Sequence, residues 1–367
     1  MARHLPDGPS RRPGRGLLAA GTLTGGGLVL ALAAALVLSP ELRRSALALT
    51  RPTDPAQATG AQDPAAASPA GPARPETVAV ALPTDAALPR LADGRHYPQV
   101  PADPVELATL LTTVETALRD PATAPAQLPA LGHQQQVIYR RLSHEQARSE
   151  AVLARLDPAW RSVAERHLAA RREFLAMQRR SRPLTALPAW RIIPPAPAEE
   201  LLAHYRKAAA ATGIDWEVLA AINLVETGMG RIDGVSVANA QGPMQFLPST
   251  WNQPGVGQGD IRDPHDAIQA AARYLVRRGG LQDIRKGLWG YNNSDYYGRA
   301  VLLYASLLRD DPRAYLGLYH WEIHVNTEAG DLWLPVGYAQ DAPIPVSAYL
   351  RPVSYTHLRA HETASFI

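Results

Sequence analysis

The sequence predicts a mainly α-helical protein, and three observations support this prediction. Apolar residues between Trp160 and Met177 recur at spacings of three and four, as one face of a helix requires. Residues 198–309 contain several apolar stretches that begin after a capping residue and end at or near a glycine. A short alternating, strand-like pattern follows Pro312. We therefore expect helices along most of the chain and a small strand-containing appendage near its end.

The first 40 residues predict a membrane segment. Residues 16–40 carry no charge and include the apolar run Leu28–Leu38, and such a segment is long enough for a hydrocarbon core of about 30 Å. The arginine-rich residues 1–15 favour a cytoplasmic N-terminus and a single-pass membrane protein whose remainder is extracytoplasmic. The alternative is a signal peptide cleaved near Ala33–Ala35, which would give a secreted protein.

Residues 41–100 predict a linker rich in proline and alanine. From Arg51 to Pro75, 16 of 25 residues are Ala, Pro or Gly, and none is aromatic. Such a composition cannot bury enough apolar surface to offset the entropy lost on ordering. The linker-like composition fades near Tyr97.

Residues 101–182 predict a helical region. One helical stretch covers about Gln134–Leu156, a second contains the apolar face from Trp160 onwards, and Asp157-Pro158 separates them. We expect a helical hairpin packed against itself or against the next domain. Between residues 134 and 182 there are 11 arginines and 5 acidic residues. This excess would attract anionic polymers or lipid head groups, but a solvated helix face is the alternative, and the arginines stay unassigned.

A proline-rich connector, residues 183–197, precedes a compact run of helices, residues 198–309. Capping residues and glycines predict helices over 215–228, 263–279 and 294–308. The second of these helices carries one continuous apolar stripe, which indicates packing against a core.

The last segments of the chain predict an appendage and a tail. Residues 310–352 alternate between polar and apolar side chains around Tyr319–Val325, which favours a strand. His320, Glu322 and His324 would share one face of that strand, a spacing compatible with a metal; a polar strand face is the commoner explanation, so no metal site is predicted. Residues 353–367 follow no pattern connected to the fold and are interpreted as a non-native tail.

Composition excludes several classes of function. The chain has no cysteine, which excludes disulfides, cysteine zinc sites and thiol catalysis. Of 37 basic residues only two are lysines, and this arginine and alanine bias indicates a GC-rich genome. The sequence has no nucleic-acid motif and no basic stripe interleaved with aromatic residues. Neither a cofactor nor a protein partner is indicated.

Glu226 is the candidate catalytic residue. It is the last acidic residue of an otherwise apolar predicted helix, where the helix dipole disfavours a negative charge. Apolar neighbours such as Val225, Phe246 and Trp251 would also disfavour ionisation through loss of hydration. Both effects raise the pKa of Glu226, as a general acid near neutrality requires. The alternative is a glutamate on a solvated helix end.

Three motifs follow one another in this part of the chain. They are Glu226-Thr227, then Gly242-Pro243-Met244-Gln245, then Gly290-Tyr291-Asn292. In order and approximate spacing they resemble the catalytic domain of the soluble-lytic-transglycosylase type, a lysozyme-like helical fold, over residues 198–309. Thr227, Pro243 and Gly290 stand where Ser, Leu and Ala are common in that family.

The resemblance implies an enzyme that cleaves the glycan strands of peptidoglycan without a metal or cofactor. It implies Glu226 as the catalytic residue, and it implies the substrate-binding residues Gln245, Met244, Tyr291, Asn292, Thr227 and Phe246. Gln245 and Met244 would line the sugar groove, and Tyr291 and Asn292 would lie near Glu226. The ordinary alternatives are that Met244 and Phe246 fill the core, Tyr291 is a packed aromatic and Asn292 is a turn residue.

The implied reaction needs one carboxyl group. Protonated Glu226 would donate to the β-1,4 glycosidic oxygen between N-acetylmuramic acid and N-acetylglucosamine. Its carboxylate would then take the proton of the C6 hydroxyl, which closes a 1,6-anhydro ring. Two alternatives stay open. A hydrolytic muramidase would use Glu226 with Asp233 as second carboxylate, and an inactive peptidoglycan-binding or scaffold module would have lost turnover.

Overall fold

The computed structural model describes residues 79–84, 94–179 and 181–351. Within these ranges helices dominate, which confirms the prediction of a mainly α-helical protein. The predicted N-terminal segments 1–15 and 16–40, most of the linker and the tail 353–367 lie outside the described residues. No helix among the described residues combines the length and apolarity needed to cross a bilayer.

Four helices form the first helical region. They are α1 (Pro104–Ala117), α2 (Leu128–His144), α3 (Gln146–Leu153) and α4 (Pro158–Gln178). The stretch predicted as one helix over 134–156 is therefore two helices, because Glu145 leaves helical geometry at φ −111° and ψ 80°. The region is a four-helix arrangement rather than a single hairpin. Val80 and Leu82, within the predicted linker, pack against α1 and α2.

The next helices carry the three motifs. They are α5 (Ala198–Thr212), α6 (Trp216–Thr227), α7 (Pro248–Trp251), α8 (Pro264–Arg277), α9 (Ile284–Asn292), α10 (Asp295–Asp310) and α11 (Ala314–Tyr319). The predicted caps Asp263 and Ser294 accept hydrogen bonds from backbone N–H groups of α8 and α10. Asp215 occupies the N-cap position of α6, but its side chain pairs with Arg309 instead.

One hydrophobic core runs through both sets of helices. It includes Leu107 of α1, Leu168 of α4, Leu219 of α6 and Val301 of α10, all of which are buried. Because α4 packs directly on α10, the first helical region is part of the same folded unit as the motifs. Burial of apolar area, which stabilises by about 25 cal/mol per Å², is thus shared between them.

Within the described ranges, six short strands form three two-stranded antiparallel sheets. They are β1 (Ala186–Leu187) with β6 (Ile344–Pro345), β2 (Trp190–Ile192) with β3 (Ile232–Gly234), and β4 (Ile323–Thr327) with β5 (Gly330–Leu334). A last short helix, α12, covers Val346–Tyr349. A second, smaller core lies between the sheets. The predicted connector 183–197 therefore contributes two strands, because Leu187, Trp190 and Ile192 are buried.

Candidate active site

The C-terminal end of α6 positions Glu226. The helix ends at Gly228, which adopts the left-handed conformation at φ 60° and ψ 52°. A Cβ atom at Gly228 would stand 2.6 Å from Cδ1 of Ile323, closer than real carbon contacts allow. Glycine is thus favoured by the left-handed backbone turn, whereas the contact with β4 involves only the movable end of the Ile323 side chain. Glu226 lies two residues before Gly228, in the last turn of the helix.

Glu226 is fully buried and has one hydrogen-bond partner. Its Oε1 accepts a hydrogen bond of 2.7 Å from the Tyr297 hydroxyl, and its buried Oε2 has no partner among the described residues. Burial raises the pKa of Glu226 well above its ordinary value, and the Tyr297 hydrogen bond opposes this rise in part. Among the described residues no charged side chain contributes to the shift. This arrangement favours the neutral, proton-bearing form of the carboxyl group.

A cavity of about 80 Å³ opens beside Glu226. One wall comes from α6, with Leu224, Val225 and Gly228. The other walls come from α2, α4, α10 and the segment 321–324. Regions far apart in sequence therefore meet around one carboxyl group.

The loop 241–246 is fixed to α6 through one carbonyl group. The Pro243 carbonyl accepts hydrogen bonds from Thr227 Oγ1 at 2.6 Å and from Asn223 Nδ2 at 2.8 Å. The Met244 carbonyl accepts a third from the Tyr291 hydroxyl at 2.7 Å. The three motifs are thus joined by hydrogen bonds, and Thr227 and Tyr291 position the loop rather than reach into the cavity.

The remaining predicted substrate-binding residues pack within or around this loop. Met244 and Phe246 are buried in the main core, as their ordinary alternative reading has it. Gln245 is 3 % exposed, has φ 49° and donates its side-chain Nε2 to the Gly242 carbonyl. None of the three lines the cavity. Asn292 is buried at the end of α9.

Asp233, the predicted second carboxylate of a hydrolase, lies on β3 and is ion-paired. Its two oxygens contact the guanidinium groups of Arg191 and Arg262, the latter at 3.0 Å. Asp233 does not line the Glu226 cavity. Two arginines thus occupy the carboxylate that the hydrolytic alternative requires.

Two residues lie close to Glu226 or its cavity although the sequence did not predict that position for them. Tyr297, the hydrogen-bond donor to Glu226, stands in the first turn of α10 and outside the three motifs. Glu322 lines the same cavity as Glu226. It accepts hydrogen bonds from Arg95 at 2.7 Å and from the Trp333 indole N–H at 2.6 Å. No local sequence signal identifies either residue, because both act across long chain separations.

The prediction that His320, Glu322 and His324 share a strand face is wrong. His320 follows α11 as its C-cap, and β4 begins only at Ile323. His324 lies near Asp331, with Nδ1 3.4 Å from Oδ2, and its Nε2 stands 3.1 Å from a ring nitrogen of His133. Burial lowers the pKa of His324 to about 4, and the positive charges of nearby arginines add to this effect.

A different group of potential metal ligands lies at the start of α8. Ligand atoms of Asp263, His265 and Asp266 lie within 4.8 Å of one another. Asp263 caps the helix, and Asp266 accepts a 2.9 Å hydrogen bond from the Asp260 N–H. The ammonium group of Lys207 stands 3.0 Å from His265. These contacts explain the cluster as a helix cap with its neighbours.

Comparison with known families assigns the central part of the chain. Residues 204–296 match the family model described as Transglycosylase SLT domain. That family comprises peptidoglycan lytic transglycosylases, so the chain carries an enzyme domain of that class and has peptidoglycan as its substrate. No curated protein and no solved structure gives a significant match to the chain.

Proposed function

We propose that the chain cleaves the β-1,4 bond between N-acetylmuramic acid and N-acetylglucosamine and forms a 1,6-anhydro product, with Glu226 as acid and then as base. The observation that carries this proposal is the state of Glu226. It is a buried carboxyl group, whose neutral form is favoured by burial, at the wall of a cavity.

The two oxygens of Glu226 support a division of roles. Oε1 is held by the Tyr297 hydroxyl, whereas Oε2 has no partner in the described part of the chain. The proton on Oε2 would pass to the glycosidic oxygen as the bond to the muramic acid C1 breaks. The carboxylate then accepts the proton of the C6 hydroxyl as that oxygen bonds to C1. Tyr297 stabilises the carboxylate between the two steps.

Hydrolysis of the same bond is the second candidate, because Glu322 brings another carboxylate to the cavity. In a hydrolase that carboxylate would activate water or stabilise the positive charge at C1. Both oxygens of Glu322 already accept hydrogen bonds from Arg95 and Trp333. This favours a structural role and supports the mechanism with one carboxyl group.

Mass spectrometry of digested peptidoglycan tests the proposal. We expect 1,6-anhydromuramic ends from the wild type and from Glu322→Gln. Reducing-end muramic acid that disappears in Glu322→Gln would instead establish hydrolysis. A gel-clearing assay addresses the remaining alternative, since a binding or scaffold module would clear no peptidoglycan in any variant.

We also propose a location for the enzyme. The uncharged residues 16–40 follow four arginines, which supports a single-pass anchor with the enzyme on the outer, cell-wall side of the membrane. Membrane fractionation of the producing bacterium, followed by protease treatment of intact spheroplasts, tests this. Recovery of a shorter, freely secreted protein would favour signal cleavage.

A further inference from the structure

Helix α4 contributes a cationic side chain to the wall of the Glu226 cavity, and the proposed reaction gives this side chain no role. Arg171 lines the cavity, yet it forms no hydrogen bond or ion pair with any other described residue. Its Nε atom is buried and unpartnered. Burial, followed by repulsion from Arg140, lowers the pKa of Arg171 to about 10, so the side chain is still cationic at pH 7.

The other charges of the cavity wall are already neutralised. Arg140 donates from Nε to Asp331 at 2.8 Å and forms a second contact with the same carboxylate. Glu322 pairs with Arg95 at 2.7 Å. Burial favours the neutral form of Glu226. The one charge of the cavity wall without a direct counterion, within the described ranges, is therefore the Arg171 guanidinium.

Arg171 does not serve the catalytic carboxyl group. The influences on the pKa of Glu226 are burial and the Tyr297 hydrogen bond, and the charge of Arg171 is not among them. Arg171 instead acts on Tyr304, whose pKa burial raises to about 12 while the two arginines oppose the rise. Tyr304 lines the same cavity, and its hydroxyl forms no hydrogen bond with another described residue.

Side chains around Arg171 form a surface suited to a charged sugar substituent. Phe174 stands one helical turn further along α4 and also lines the cavity, where it offers an apolar face. Gln136 is fixed to the backbone of Glu322 by two hydrogen bonds of 2.8 Å. A rigid wall with an unpaired cation and a free hydroxyl donor is suited to binding an anion.

We propose that Arg171, with Tyr304, binds a carboxylate of the muramic acid unit and so selects that sugar for the cavity. This inference rests on the proposed function, because the substrate must be peptidoglycan. Carboxylates reach such a site from two sources. The lactyl group of muramic acid is a free carboxylate in peptide-free strands, whereas in peptide-bearing strands it is an amide and the stem peptide supplies the carboxylates.

The test compares three forms of purified glycan strands. They are strands with stem peptides, peptide-free strands, and peptide-free strands whose carboxylates have been converted to primary amides. KM and kcat are measured for wild type, Arg171→Gln and Arg171→Lys. Arg179→Gln is the matched control, because Arg179 is an exposed residue at the end of the same helix. Melting temperatures verify that all variants fold.

We expect Arg171→Gln to raise KM about ten- to a hundredfold, as loss of a charge-assisted hydrogen bond does, with kcat changed by less than about threefold. A rise on peptide-free strands identifies the lactyl carboxylate, and a rise only on peptide-bearing strands identifies the stem peptide. On amidated strands wild type and Arg171→Gln should have equal KM values. Arg171→Lys should recover part of the affinity, and Tyr304→Phe should give a smaller rise in KM.

Equal KM values of wild type and Arg171→Gln on both carboxylate-bearing strands would overturn the inference. An equal loss on amidated strands would do the same, because it would indicate a packing role. A wild type that cleaves none of the strands would refute the proposed function instead. Binding of fluorescently labelled strands to the Glu226→Gln protein then still decides the role of Arg171, through the Kd with and without Arg171→Gln.

Discussion

The last turn of α6 and the β4–β5 hairpin each take a carboxyl group out of bulk water, with opposite consequences. Glu226 on α6 is buried with only a neutral hydroxyl partner, and burial raises its pKa. Asp331 on β5 receives Arg140 and His324, and their attraction outweighs burial and holds the pKa of Asp331 far below its usual range. Burial alone does not decide protonation in this protein; the presence of a nearby cation does.

The largest expected effect comes from removing the neutral acid itself. Glu226→Gln keeps the size of the side chain and its capacity to hydrogen-bond Tyr297, but it has no proton to donate. We expect kcat/KM on purified peptidoglycan to fall by about a thousandfold or more. The control is Glu217→Gln, in the first turn of the same helix, which should retain wild-type activity. Substantial cleavage by Glu226→Gln would remove the assignment of the acid.

The second effect concerns the ion-paired carboxylate. Asp331→Asn leaves Arg140 without its counterion, and loss of one partner of a largely buried pair costs about 3 kcal/mol of unfolding free energy. Urea denaturation at pH 7 measures this cost. Because the folded-state pKa of Asp331 is lowered, the stabilisation is present above the unfolded pKa of about 3.9. The gap between wild type and variant should therefore narrow as the pH falls below that value.

Asp310→Asn provides the contrast for that measurement. Asp310 pairs with Arg166 at 2.6 Å, but its side chain is 62 % exposed. Exposed pairs contribute about 0–1 kcal/mol, so Asp310→Asn should cost much less than Asp331→Asn. Equal losses in the two variants would contradict the difference in burial on which the comparison depends.

A smaller effect is expected from the one partner of Glu226. Tyr297→Phe removes the hydrogen bond that stabilises the carboxylate, so the pKa of Glu226 should rise further. We expect a loss of about tenfold in kcat and a shift of the basic limb of the pH–kcat/KM profile to higher pH. Tyr296→Phe changes the neighbouring, exposed tyrosine and should leave the profile unchanged. A shift of the basic limb to lower pH in Tyr297→Phe would show that the hydrogen bond does not stabilise the carboxylate.

The last expected effect is a gradual change of the unfolding free energy with pH. A raised folded-state pKa means that Glu226 contributes stability below its unfolded pKa of about 4.3. That contribution is lost as the pH rises towards the folded value, by at most about 1.4 kcal/mol per pH unit. Glu226→Gln does not titrate and so lacks this loss. Its unfolding free energy should therefore increase relative to that of the wild type as the pH rises from 4.5 to neutrality. Parallel curves for the two proteins would mean that Glu226 titrates normally.

Local features of the fold were predictable from the sequence. The apolar stripe of α8 and its cap Asp263 identify that helix within two residues at its C-terminal end. Gly228 marks the end of α6 and hence the position of Glu226. These features depend on neighbours three or four residues apart, which periodicity and capping rules describe.

The remaining walls of the site were not predictable in this way. Arg171 is one of 11 arginines in a run that a solvated face would explain equally well. Its place in the cavity depends on the packing of α4 against α10. Tyr297 lies 71 residues from Glu226, and no rule of local spacing links them. Conversely, Met244 and Gln245 belong to a motif, yet their side chains are buried within their own loop.

The pairing of β1 with β6 joins residues 186–187 to residues 344–345, on either side of the segment 204–296 that the family model matches. The segment matched by the family model is therefore shorter than the folded unit. A recombinant fragment limited to residues 204–296 would lack both β1 and β6, together with the α4 side of the main core.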